Sequence, residues 1–299
     1  MRFRAFRPVV LTGLIATAGV AAHTGTAALA AAPAGPEITI ERSSLPSVSG
    51  CTNNYTLYQQ HDAQAGPLVL IVPGFMRDRD RMRGWADALA RRGLLAVTMD
   101  FCQPTAFDGK HAENARDMIA LRNHLGAASV IYVGHSAGGL AALLAAANDP
   151  AARGMVLLDP VDFARLGRDA AARNRVPGIA LLAEPGACNL RSNMRGALAR
   201  MPSVQTISIA AATHCDFEWP PDALCRAVCD LGGPGRDRRI ASEQQIRSLA
   251  IDFIEASRRA PDAEQTAGGS ARAFAADDAA DDAADDAPAA DPELAVVPD

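Results

Sequence analysis

The chain has 299 residues, six cysteines and a formal net charge of −5 that is unevenly distributed. Residues 261–299 hold eleven acidic residues and one arginine, a net charge of −10, so residues 1–260 sum to +5. Three of those positive charges lie within the first seven residues, which leaves residues 33–260 close to neutral. Nothing in this distribution indicates the concentrated basic surface that nucleic-acid binding needs, and we expect no nucleic-acid partner.

The first 32 residues have the pattern of a secretory signal peptide. An arginine-rich start is followed by an apolar run over residues 9–22 and by the small-residue sequence Ala28-Leu29-Ala30. The alternative is a membrane anchor, but glycine and threonine interrupt the run, which is shorter than the roughly 20 apolar residues of a membrane span. We therefore expect cleavage and export, to a periplasm or out of the cell, without a stable membrane anchor.

Beyond the leader, short apolar runs alternate with amphipathic segments. Two alternating runs, 37–42 and 55–60, predict half-buried antiparallel strands. A short apolar run predicts a buried strand at 68–72, and further strands are predicted at 94–99, 129–133, 155–158, 179–183 and 204–209. Helices are predicted at 80–92, 111–125, 137–147 and 241–258. This alternation predicts one α/β domain over residues 33–260, with a mostly parallel sheet covered by helices on both faces.

The two remaining compositional features concern the tail and the cysteines. Residues 261–299 are rich in alanine and aspartate and have few large apolar side chains, so we expect them to be disordered. All six cysteines precede the tail, and their even number in an exported chain predicts disulfides, with Cys51 paired to Cys102 and the other four paired among themselves. A metal site at Cys225 and Cys229 is disfavoured because no histidine or second close cysteine pair completes it. We expect no metal and no organic cofactor.

The strongest functional motif is Gly134-His135-Ser136-Ala137-Gly138, a G-x-S-x-G sequence between a predicted strand and a predicted helix. This context is that of a nucleophile elbow, in which a sharp turn lifts the serine Oγ above the sheet and small neighbours prevent a clash. The alternative, a glycine-rich phosphate turn, would need a G-x-G-x-x-G pattern or a lysine, and neither is present. Ser136 is therefore the candidate nucleophile.

The candidate base follows from chain order, because such sites place the serine first, the acid second and the histidine last. Of six histidines, only His214 follows Ser136, and it lies just after the strand predicted at 204–209. The acid should end a strand between them, which leaves Asp159, Glu184 and Asp162 as candidates.

The candidate oxyanion hole needs two backbone N–H groups. One would come from Ala137, directly after the serine, and the other from Phe75 in the Pro73-Gly74-Phe75-Met76 loop after the strand at 68–72.

These motifs resemble those of known hydrolases. Pro73-Gly74-Phe75, the elbow and the late histidine are similar to those of bacterial cutinase-like polyesterases and lipases. The run Asp159-Pro160-Val161-Asp162, together with the His-x-Asp-Phe sequence that begins at His214, looks more like the chlorophyllase-related branch of the same superfamily. The resemblance implies the α/β-hydrolase fold and favours Asp159, the first aspartate of its run, as the acid, with Glu184 as the alternative.

The predicted activity is hydrolysis of carboxylic esters by a Ser-His-Asp triad through an acyl-enzyme. Fewer than twenty residues separate Asp159 from the next predicted strand, enough for one helix but not for a cap domain, so the site should be open to small, lipid-like or polymeric esters. The alternatives are an acyltransferase or peptidase with the same triad, or a non-catalytic binding protein on this scaffold. Nothing in the sequence predicts an oligomeric state.

Overall fold

The computed structural model describes residues 36–61, 66–102, 110–230, 233 and 235–259. The predicted signal peptide (1–32) and the predicted disordered tail (261–299) lie outside the described residues. Within those described segments, no helix is both long enough and apolar enough to cross a membrane.

The centre of the domain is a sheet that contains eight described strands in the order β1-β2-β4-β3-β5-β6-β7-β8. From β4 to β8 all neighbours are parallel, whereas β1 and β2 pair antiparallel at one edge, as their alternating sequences predicted. The strands are β1 (Ile38–Pro46), β2 (Thr52–Gln60), β3 (Leu68–Val72), β4 (Ala96–Met99), β5 (Val130–His135), β6 (Ala152–Leu158), β7 (Gly178–Leu182) and β8 (Val204–Ser208).

Helices connect the strands, and two short 3₁₀-helices lie at Arg79–Met82 and His214–Phe217. The α-helices are α1 (Arg83–Ala90), α2 (His111–His124), α3 (Ala137–Asn148), α4 (Leu166–Arg173), α5 (Arg195–Leu198), α6 (Ala223–Cys229) and α7 (Arg236–Arg259).

The helices cover both faces of the sheet. Side chains along a strand point alternately to opposite faces, so Leu68, Leu70 and Val72 of β3 pack with α2 and α3, whereas Val69 and Ile71 pack with α1 and α7. All five β3 side chains are buried. Burial on both faces explains why these strands are continuously apolar in sequence.

Several element boundaries differ from the sequence-based prediction. The helix predicted at 80–92 begins as a 3₁₀-helix, and α7 begins at Arg236 rather than at residue 241. The first turn of α7 is polar and therefore lacks the apolar periodicity that marks a helix. The prediction had no counterpart for α5, α6 or the 3₁₀-helix at His214–Phe217, because each has seven residues or fewer and is too short to show a period.

Three disulfides join the six cysteines. Cys51 pairs with Cys102, as predicted, and the other four pair among themselves as Cys188–Cys229 and Cys215–Cys225. Disulfides of this kind persist in oxidising compartments, so the pairing favours an extracytoplasmic location.

Candidate active site

Ser136 lies on a sharp turn between β5 and α3 and has the strained backbone angles φ 56° and ψ −120°. Two glycines permit the turn. A Cβ at Gly134 would lie 2.0 Å from the carbonyl oxygen of Gly138, and a Cβ at Gly138 would lie 2.2 Å from that of Pro73. Any larger residue at either position would clash with backbone, so the elbow requires its G-x-S-x-G spacing.

His214 lies between the serine and an aspartate. Its Nε2 is 2.9 Å from Ser136 Oγ, and its Nδ1 is 2.6 Å from Asp159 Oδ2. With Asp159 ionised, the Nδ1–H donates to the carboxylate, which leaves Nε2 free to accept the serine proton. The structure thus brings together Ser136, His214 and Asp159 in one chain of hydrogen bonds.

Asp159 follows β6 directly and is fully buried. Its Oδ1 accepts the N–H of Ala183 at 2.9 Å, and the side-chain amide of Asn189 donates to its Oδ2 at 3.1 Å. Both donors lie in the connection after β7, and His214 lies after β8, so segments other than its own loop orient the carboxylate.

The other two candidate acids lie elsewhere. Glu184 is exposed, and its Oε1 accepts the N–H of Ala211 at 3.1 Å. Asp162 accepts the N–H groups of Gly167 and Arg168, so its carboxylate is bonded to the first turn of α4. The structure does not bring either carboxylate to the ring of His214.

Asn189 was not found by sequence reasoning. Its amide also donates to the carbonyl oxygen of Glu184 at 2.9 Å, and its Oδ1 accepts the N–H groups of Gly186 and Ser192. These bonds determine which end of the amide faces Asp159. The only local sign in the sequence was the preceding Cys188, because a disulfide next to a strand end can fix a loop.

His135, the second residue of the elbow, is buried against His214. Its Nε2 lies 2.9 Å from the backbone carbonyl oxygen of His214, so Nε2 carries the hydrogen and donates it. Burial and the neighbouring His214 hold the pKa of the His135 imidazole well below its ordinary value. A neutral His135 therefore stabilises the backbone of His214 through this hydrogen bond.

The loop after β3 lies against the serine. A Cβ on Gly74 would be 3.0 Å from Ser136 Cβ, and the N–H of Arg77 closes a turn onto the carbonyl of Gly74 at 3.2 Å. Phe75 and Met76 are the central residues of this turn, in which Met76 has a φ of 57°. Ala137 is the first residue of α3, so its N–H has no carbonyl within its own helix to bond. Both predicted oxyanion donors thus belong to segments that border Ser136.

In the β6–β7 connection, which lies wholly within the described residues, α4 is the single helix between Asp159 and β7, and no cap domain is inserted there. Four large apolar side chains are exposed in segments that adjoin the serine or its partners: Phe75, Met76, Phe163 and Leu190.

A metal centre is not formed by the cysteines near His214. The sulfurs of Cys215, Cys225 and Cys229 lie within 4.8 Å of one another, but all three are in disulfides and offer no thiolate.

Comparison with known proteins agrees with this architecture. A family model described as the alpha/beta hydrolase fold matches residues 67–181. Among solved structures, the chain is similar to a ferulic acid esterase from Streptomyces cinnamoneus, with 15% identity and a TM-score of 0.59 over 81% of this chain and 96% of that one. It is also similar to a proposed dienelactone hydrolase from Klebsiella pneumoniae subsp. pneumoniae, with 16% identity and a TM-score of 0.52 over 72% of this chain and 99% of that one. No curated protein sequence matches the chain.

The chain therefore has the α/β-hydrolase fold and is related to the α/β-hydrolase superfamily. The predicted fold class and the predicted superfamily are both confirmed.

Proposed function

We propose that this protein is an exported serine hydrolase that cleaves carboxylic ester bonds. The observation that carries the proposal is the continuous hydrogen-bonded path from Ser136 Oγ through the His214 ring to the buried carboxylate of Asp159. A serine on a strained elbow, a histidine in hydrogen-bond reach and an acid that orients the histidine form the arrangement that activates a nucleophile.

In the proposed reaction, Ser136 Oγ attacks the ester carbonyl carbon while its proton passes to His214 Nε2. The N–H groups of Phe75 and Ala137 stabilise the oxyanion of the tetrahedral intermediate. His214 then gives its proton to the departing alcohol, and the acyl group remains on Ser136. Water attacks the acyl-enzyme, His214 accepts a proton from it, and the acid leaves as Ser136 regains its proton.

Three observations support an ester substrate and export. One structural neighbour is described as a ferulic acid esterase and another as a proposed dienelactone hydrolase. The apolar side chains that are exposed in segments adjoining the serine or its partners suit an uncharged, apolar or polymeric ester. The three disulfides fit an oxidising compartment, as the predicted signal peptide does.

The test is hydrolysis of short- and long-chain p-nitrophenyl esters by the oxidised, processed protein, beside Ser136→Ala and His214→Ala. Each variant should lose activity by a factor on the order of 10⁴ or more. Ser248→Ala is the matched control, because Ser248 lies on α7, and its hydroxyl donates to the exposed Asp252. A fluorophosphonate should label the native protein at Ser136.

The same assay separates the alternatives. Cleavage of p-nitroanilides in preference to esters would indicate a peptidase, and acyl transfer to added alcohols faster than hydrolysis would indicate an acyltransferase. An oxidised native protein that cleaves no ester and takes no label at Ser136 would refute the proposal in favour of a binding protein.

A further inference from the structure

A partly buried ion pair joins the turn at residues 74–77, here called the oxyanion turn, to the loop that carries His214. The guanidinium of Arg77 donates to both oxygens of Glu218, with Nε 2.7 Å from Oε1 and Nη2 2.9 Å from Oε2. The same Nη2 also contacts the carboxylate of Asp222. This two-pronged geometry is specific to arginine, whose planar fork matches a carboxylate.

Arg77 and Glu218 belong to two different segments of the candidate site. The backbone of Arg77 closes the turn that contains Phe75, the predicted second oxyanion donor. Glu218 directly follows the 3₁₀-helix that begins with His214, and its own N–H bonds the carbonyl of Cys215. The ion pair therefore fixes the distance between the segment of the oxyanion donor and the segment of the base.

Because it is partly buried, the bond between Arg77 and Glu218 is harder for solvent to break than an ion pair on the surface. The Glu218 side chain is 1% exposed and that of Arg77 is 18% exposed. Solvent competes poorly for such a pair, and loss of one partner would leave the other desolvated and incompletely bonded.

The turn itself needs an external restraint. Met76 has a φ of 57°, a left-handed conformation that is unfavourable for a non-glycine residue and persists only where the surroundings enforce it. Gly74 holds one end of the turn against Ser136, and Arg77 holds the other end against Glu218.

The loop of His214 has other attachments that do not involve Arg77. The N–H of Trp219 bonds the carbonyl of Arg81 at 2.8 Å, and the indole N–H of Trp85 bonds the carbonyl of Phe217 at 3.0 Å. Loss of the two-pronged bond of Arg77 should therefore leave the loop of His214 in place and increase the mobility chiefly of the oxyanion turn.

We propose that Arg77 is a positioning residue, which holds the oxyanion donor Phe75 in register with Ser136 and His214 through its two-pronged bond to Glu218. The inference rests on the proposed ester-hydrolase function. It assigns to Arg77 no contact with substrate, only control of where the Phe75 N–H points.

The test is Arg77→Lys, which keeps the charge but loses the fork, in the full oxidised protein. We expect kcat on a p-nitrophenyl ester to fall at least tenfold, up to the roughly 10²–10³-fold that loss of an oxyanion donor costs, while KM changes less than about twofold. A trifluoromethyl ketone, which the serine converts to an oxyanion adduct, should lose affinity by the same factor as kcat. Arg91→Lys is the matched control, since Arg91 makes the same two-pronged bond to Asp87 on the exposed surface.

A second variant tests the pair rather than the single residue. Glu218→Gln keeps the shape of the side chain but removes its charge, and it should reduce kcat in the same sense. Because the two residues act as one unit, the double variant should be no slower than the slower single variant. If Arg77→Lys did not fold, Glu218→Gln would carry the comparison alone.

Either of two results would overturn the inference. One is a folded Arg77→Lys protein whose kcat and ketone affinity match those of Arg91→Lys. The other is a loss of kcat that disappears once rates are divided by the fluorophosphonate-titrated fraction of active protein, which would make Arg77 merely structural. An inactive native protein would instead refute the proposed function, and this inference with it.

Discussion

Replacement of Asp159 by asparagine tests the assignment of the acid with little change in volume. In the native site, Ala183 N–H donates to Oδ1 at 2.9 Å, and this bond should hold the carbonyl oxygen of the introduced amide. The amide nitrogen would then take the place of Oδ2, which lies 2.6 Å from His214 Nδ1. A donor at that position forces His214 to carry its hydrogen on Nε2, so the ring cannot accept the proton of Ser136.

The expected effect follows from this change of tautomer. An asparagine in place of a triad aspartate lowers kcat by about 10⁴, which corresponds to roughly 5.5 kcal/mol in the activation free energy. The side-chain amide of Asn189 also donates toward Oδ2 at 3.1 Å, and it would face a second donor in the variant. This conflict adds a penalty to folding but does not restore the tautomer.

The assay is steady-state hydrolysis of a p-nitrophenyl ester at neutral pH, with circular dichroism to check folding. Glu184→Gln is the matched control because Glu184 is exposed and bonds the N–H of Ala211, so its kcat should stay within about threefold of the native value. A folded Asp159→Asn protein with near-native kcat would refute this reasoning. A Glu184→Gln protein that loses activity by orders of magnitude would make Glu184 the acid.

Two further predictions concern the elbow. Gly138→Ala should lower kcat strongly and reduce the free energy of unfolding by about 1–3 kcal/mol or more, because its Cβ would lie 2.2 Å from the Pro73 carbonyl oxygen. Ester hydrolysis measures the first effect and urea unfolding the second. His135 stays neutral in the fold because its pKa is held well below the ordinary value, so only the unfolded chain takes up a proton below about pH 6.5. As pH drops below 6.5, the free energy of unfolding of the native protein should therefore fall more steeply than that of His135→Gln. The difference in slope should be up to about 1.4 kcal/mol per pH unit, as measured by urea unfolding.

Each of these predictions has its own check. Gly196→Ala is the control for the elbow, since a Cβ at Gly196 meets nothing within 4 Å, and equal losses in both alanine variants would contradict the steric argument. For His135, glutamine can still donate to the carbonyl of His214, so the two proteins should differ in pH dependence rather than in this bond. Identical slopes between pH 7.5 and 5.5 would show that His135 does not resist protonation in the fold.

Much of the fold and part of the candidate site could be predicted from the sequence alone. Continuous apolar runs marked central parallel strands such as β3, because burial on both sheet faces leaves no polar positions within such a strand. Ser136 was identifiable because the steric requirements of the elbow fall on residues adjacent in the chain, Gly134 and Gly138. His214 followed from chain order alone, as the single histidine after the serine.

Only the tertiary structure decided which groups meet. The residues by themselves left Asp159, Glu184 and Asp162 open, and the contact of Asp159 with His214 joins the ends of elements 55 positions apart in the chain. The same holds for the pairing of the last four cysteines and for the bond between Arg77 and Glu218, 141 positions apart. Strands and turns are encoded by neighbouring residues, whereas these contacts depend on the order of the strands in the sheet and on how the loops at their ends pack.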